Sequence, residues 1–152
     1  MKRFAKSLVV GMLMVCTMLA MVGCGAKKQT ATCTLDQDGV KVEMVLDAEG
    51  DKIVKLTQTS TVSLDGVSEE QVAALDENIA QIKEQYEAID GVKYSFEKSE
   101  KELKEIVEID TSNKDTLKAA IESELLPVKG NQSSLSLKAT KESMADLGWT
   151  VK

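Results

Sequence analysis

The chain has 152 residues, a formal net charge of −6 and no histidine. That length suits one domain, and a hydrophobic share of 43% is enough for a packed core. The absent histidine excludes Ser-His-Asp and Cys-His catalysis, histidine metal sites and histidine pH switching. An excess of 25 acidic over 19 basic residues argues against a nucleic-acid binder.

Lys2, Arg3 and Lys6 precede Leu8 to Val22, an uncharged and mostly apolar stretch. A membrane-spanning helix needs about 20 apolar residues, whereas a secretory h-region runs about 7–15. Residues 1–23 therefore read as an export signal. It ends in Met21-Val22-Gly23-Cys24, a run that resembles the lipobox of bacterial lipoproteins, with Met21 where Leu is usual. The resemblance implies cleavage after Gly23 and a diacylglyceryl thioether on Cys24, making the membrane a partner through that lipid. Two acyl chains anchor stably where one anchors marginally. An ordinary signal peptide with an incidental cysteine is the alternative. Removing residues 1–23 takes away three positive charges, so the processed chain has 129 residues and a charge of −9. Cys16 leaves with the signal and Cys24 carries lipid. A single cysteine, Cys33, is left for the domain, so a disulfide framework within the monomer is excluded.

Residues 24–30 read as a lipidated polar tether, with Lys27 and Lys28 as solvated tether residues and headgroup contact the alternative, and 31–152 as one α+β domain. A β-compatible segment, Ala31–Asp36, leads to an Asp38-Gly39 turn. Val40, Val42, Met44, Leu46 and Ala48 then alternate with polar residues as in a half-buried strand. Glu49-Gly50-Asp51 is the next turn, and Lys52–Ser63 a third strand. The period changes at Ser68, which with Gln71 makes a capping box. Val72, Leu75, Ile79, Ile82, Tyr86 and Ile89 form one helical stripe, closed by Asp90-Gly91. Val92, Tyr94 and Phe96 begin a second hairpin, completed by Leu103, Glu105, Val107 and Ile109. Asn113 caps a helix running to about Leu125, with Pro127 as its stop. Lys129–Gln132 is a loop, Ser134 or Ser136 starts a last helix closed by Gly148, and Trp149 and Val151 form a short strand or packed tail. The order β-β-β-α-β-β-α-α predicts an antiparallel sheet of about five strands with two to three helices on one face.

The runs CTLDQDGVKVEMVLDAEGDKIVKLT, IDGVKYSFE and SLKATKESMADLGW resemble the YehR-like bacterial lipoproteins, which carry a single domain of unknown function. The resemblance covers roughly residues 31–150 together with the lipoprotein signal. It implies a compact α+β lipoprotein domain on the outer side of a membrane. It brings no catalytic residue and no cofactor.

Asp36-Gln37-Asp38-Gly39 and Asp47-Ala48-Glu49-Gly50-Asp51 invite a calcium reading. An EF-hand loop needs Gly at position 6 and Glu at position 12. Counting from Asp36 gives Lys41 and Asp47, and from Asp47 gives Lys52 and Gln58, so hairpin turns are the simpler reading. No metal site is assigned. Cys33 reads as a buried residue of the first strand rather than a reactive thiol, since neither CxxC nor histidine is available to activate it. Tyr86, Tyr94 and Phe96 fall on core stripes, and Trp149 reads as a core plug. The acidic stretch Glu97–Asp110, interleaved with lysines, reads as a solvated hairpin face. Asn131-Gln132-Ser133 is a formal glycosylation sequon only. Together these features point to a membrane-anchored, non-enzymatic domain on the extracytoplasmic face that binds a ligand or partner. A carboxylate-based envelope hydrolase, with or without a metal, is the alternative, and it requires a convergent desolvated pair of acids.

Overall fold

The computed structural model describes residues 27–37, 39–126, 128 and 132–152, without the side chains of Glu69 and Glu77. The signal, Cys24, Asp38, Pro127 and the sequon's Asn131 lie outside the described residues. Three long strands come first: β1 (Lys28–Gln37), β2 (Val40–Glu49) and β3 (Lys52–Ser63). Helix α1 (Glu69–Glu87) follows, then the hairpin β4 (Val92–Lys98) and β5 (Glu102–Ile109). Helix α2 (Lys114–Glu122), β6 (Leu135–Ser136), α3 (Leu137–Asp146) and β7 (Thr150–Val151) complete the chain. All strands pair antiparallel in the order β4-β5-β3-β2-β1-β7, with β6 on β3.

The fold is the α+β arrangement that the alternating patterns predict, enlarged by two short strands. β7 pairs Val151 with Cys33, and β6 pairs Leu135 with Ile53. β1 begins at Lys28 and pairs along its whole length with β2, so Lys28–Thr30 are strand residues rather than tether. Gly39 and Gly50 take the left-handed backbone their hairpin turns require, at φ +78° and +62°.

A β-bulge at Val54 shapes β3. Asp47 faces Lys55 but Ala48 faces Ile53, so Val54 is the extra residue. The bulge turns both Ile53 and Leu56 inward, where they are 0% and 4% exposed. It also leaves carbonyls for the chain beyond β5: Thr111 Oγ1 donates to Ile53 O at 2.9 Å, and Ser112 N to Val54 O at 3.0 Å. Above this region Leu117 and Ala120 of α2 and Leu137 and Met144 of α3 join Ala31, Leu46 and Ile109 in one core. Full burial of a leucine such as Leu117 contributes about 1.5–3 kcal/mol.

The helix starts agree with the caps read from sequence. Ser68 and Gln71 form the complete capping box of α1, Asn113 accepts from Asp115 N and Thr116 N, and Ser136 caps α3. The ends differ. α1 stops at Glu87 with Ala88 as a right-handed C-cap, so Gly91 does not close it. Gly91, at φ +81°, instead makes the turn into β4 beneath Thr116, whose hydroxyl donates to Asp90 O at 2.7 Å. α2 stops at Glu122 rather than near Leu125, because the chain turns through Glu124 (φ +58°) to bury Leu125 and Leu126.

A Cβ on Gly91 would lie 2.6 Å from Thr116 Oγ1. Gly91→Ala therefore combines left-handed backbone strain with a clash, and should lower unfolding free energy by about 2–4 kcal/mol in urea titration. Gly39→Ala, whose Cβ meets nothing within 4 Å, should cost only the backbone strain, about 1–2 kcal/mol.

Candidate functional site

The strand register lays the inward side chains in rows across the sheet. Ala31, Leu46, Leu56, Ile109 and Val92 make the first row, entirely apolar and buried. The second is Cys33, Met44, Gln58, Val107 and Tyr94, and the third Leu35, Val42, Ser60, Glu105 and Phe96. Val40, Val62 and Leu103 form the fourth. Polar groups thus cross the middle of the inner face, with apolar rows on both sides. Gln58 and Ser60 are 5% and 8% exposed, and Gln58 Nε2 donates to Ser60 Oγ at 3.3 Å.

Helix α1 lies over β4, at the edge of the sheet. Ile79, Ile82 and Tyr86 pack against the core, yet every residue of its apolar stripe stays half-exposed. Lys98 Nζ holds the helix from the strand side, 2.6 Å from Asp76 Oδ2. The Tyr86 and Tyr94 rings meet edge to face, with centroids 5.6 Å apart and planes at 79°. Beneath them burial pushes the Glu105 carboxyl above its ordinary 4.5, opposed by the pull of the Tyr94 hydroxyl. Burial, and then the Glu105 charge, raise both tyrosines. The Tyr94 hydroxyl feels the carboxylate, but the geometry completes no hydrogen bond: Oη is buried with no partner among the described residues. Glu105 therefore corrects the reading of Glu97–Asp110 as a solvated face. Its place beside Leu103 and Val107 in the alternation was the sequence signal, and Gln58 and Ser60 carried no comparable one.

The other predicted residues have structural work. Asp47 Oδ1 accepts from Thr30 Oγ1 at 2.7 Å. Asp51 accepts from Ser136 Oγ at 2.6 Å and from Lys138 N at 2.8 Å, holding the start of α3 against the β2–β3 turn. Cys33 is 0% exposed as a thiol in β1. Trp149 is half-buried against the core. Among the described residues no group of three carboxylate or thiol side chains is arranged to hold a metal, and no helix is long and apolar enough to cross a membrane.

Residues 29–150 match the family model described as "Protein of unknown function (DUF1307)". The chain belongs to the DUF1307 family. Its relatives include the uncharacterized lipoproteins Lmo0207 of Listeria monocytogenes and Lin0239 of Listeria innocua, 29% and 27% identical over 90 residues. In each case the match takes in 59% of this chain and 59% of the relative, so the chain spans about three-fifths of their length. The fold is similar to the NMR structure of E. coli YehR, with TM-score 0.63 and 15% identity over 84% of this chain and 92% of that one. It is also similar to an NMR structure of a protein from Streptococcus pneumoniae TIGR4, with TM-score 0.54 and 15% identity over 91% and 94%.

An unpartnered buried hydroxyl is costly, so Tyr94→Phe should leave stability unchanged or raise it by about 1 kcal/mol. Glu105 holds its proton to higher pH folded than unfolded, so its contribution to stability falls as pH rises from 4.5 through the folded value. Glu105→Gln should match the parent near pH 4 and become the more stable protein towards neutrality, read by urea melts across pH. A constant difference between the two would contradict the desolvated carboxylate.

Proposed function

We propose that this DUF1307 domain is a lipid-anchored, extracytoplasmic binding module without hydrolytic chemistry. The observation that carries the binding reading is the apolar stripe of α1, half-exposed where the helix lies over β4 at the sheet edge, beside the polar middle rows of the sheet. Apolar walls with a few fixed polar groups suit recognition of a ligand or partner segment. A carboxylate hydrolase would need two acids with separated ionisation. The carboxylate that burial raises here, Glu105, faces Tyr94 and Tyr86 instead. Support for the anchor comes from Met21-Val22-Gly23-Cys24 after an export signal and from relatives named as lipoproteins.

Fractionation and metabolic labelling with a radioactive fatty acid test the anchor. The parent should be labelled and sediment with membranes. Cys24→Ala should lose the label and at least most of its membrane retention; unchanged retention would refute lipidation at Cys24. For the binding reading, partners crosslinked to the anchored protein in native membranes should be lost in Ile82→Lys, provided its circular dichroism matches the parent.

A further inference from the structure

The position of β1 sets how far the folded body can stand from its lipid. Lys27 is already part of the body, since its carbonyl accepts from Gly50 N at 3.0 Å. Three Cα–Cα steps separate Lys27 from Cys24, a reach of about 11 Å at most. The Debye length at physiological ionic strength is about 8 Å. A body tethered so closely keeps its near end within the field of the membrane surface.

That near end gathers lysines from three separate parts of the chain. Lys27 and Lys28 enter β1, and Lys52 starts β3 beside the Gly50-Asp51 turn. Lys138 and Lys141 come from the first turns of α3, drawn to this turn by the Asp51 bond to Lys138 N and by Leu137 N donating to Asp51 O at 2.7 Å. Lys138 and Lys141 line an open depression with Gln29, Gly50, Asp51 and Glu142. None of the five lysines is in an ion pair among the described residues. Acids interleave with them: Asp47, Glu49, Asp51, Asp110 and Glu142, of which Asp51 is held by Ser136 and Lys138 N and Asp110 by Ser112, so this end is close to charge balance. The opposite end, about 30 Å away along β1, is acidic: Asp36, Asp65, Glu70, Glu100 and Glu102 outnumber Lys41, Lys98 and Lys101. Bonds from Ser63 N to Gly39 O and Leu64 N to Lys101 O gather those turns there.

We propose that the end of the domain at which β1 begins docks against an anionic phospholipid surface, with Lys27, Lys28, Lys52, Lys138 and Lys141 as the contact. The proposal rests on the anchor at Cys24. The lipid supplies attachment, while the charge asymmetry supplies orientation: the acidic far end is repelled and the lysine end is held down. Each lysine near such a surface changes the docked-to-undocked ratio by about fivefold.

The test uses the processed lipoprotein reconstituted into vesicles of phosphatidylcholine alone or with phosphatidylglycerol, then brief amine acylation read by mass spectrometry. In phosphatidylglycerol vesicles the five lysines should be protected relative to phosphatidylcholine, with Lys41 and Lys101 unchanged, and high salt should abolish the difference. The triple variant Lys52→Gln, Lys138→Gln, Lys141→Gln should float normally and lose protection at Lys27 and Lys28. A protein that floats yet shows the same lysine reactivity in both vesicle types, or protection at Lys41 and Lys101, overturns the docking. Failure to float on phosphatidylcholine overturns the anchor reading instead.

Discussion

The extra residue at Val54 governs how the rest of the chain can pack. Without it, strict alternation along β3 would send Ile53 to the solvent side whenever Leu56 pointed inward. With it, both enter the core, and the carbonyls of Ile53 and Val54 become free for Thr111 and Ser112. Those bonds seat the segment just before Asn113, so the cap of α2 is fixed over the inner face. The same irregularity lets β5 end opposite Leu56 and β6 take over opposite Ile53. β6 runs directly into α3, whose first turn is then held by Asp51. One residue of insertion therefore places two of the three helices.

Those two helices cover the dry rows of the sheet, and this leaves α1 to the polar ones. A helix laid squarely over Gln58, Ser60 and Glu105 would bury more polar surface than its apolar stripe could satisfy. α1 instead lies towards β4, where Tyr94 and Phe96 offer aromatic contact. The compromise shows in the burial: α2 and α3 each place side chains fully inside, whereas the stripe of α1 stops at half. The helix is kept in place by termini and pairings, its capping box at one end and Lys98 against Asp76 midway. Elements held in that manner open more readily than those held by core burial. The candidate site thus coincides with the least committed packing in the domain.

Much of this was legible in the sequence because it depends on local period and caps. The stripe from Val72 to Ile89, the Ser68–Gln71 box and the Asn113 cap each rest on side chains within a few residues of one another. The bulge was not legible, because Ile53, Val54 and Leu56 are all apolar and fit either face. β6 escaped for a different reason: a two-residue strand has no period, and exists only because a neighbour offers an edge; for β7 the same lack of period left residues 149–151 open between short strand and packed tail. Gly91 read as a helix stop since its conformation is right for one, while its actual constraint, Thr116, is 25 residues away. Glu105 was visible on the inward face of its strand, yet the surrounding charges hid what burial there does to a carboxylate.

The same register bears on how the domain would carry load under the anchor proposed above. With attachment at Cys24, force would enter β1 along the strand axis, from the end where Lys27 meets Gly50. β1 is bonded to β2 over its full length and to β7 on its other edge. Force in that direction shears both ladders at once, so many bonds of about 1 kcal/mol each must yield together. The terminal strand β7 adds to this grip, with Thr32 and Lys152 exchanging backbone bonds at 3.0 and 2.9 Å. Residues 150–152 thereby clamp the first strand of the domain, the element that an anchor at Cys24 would load.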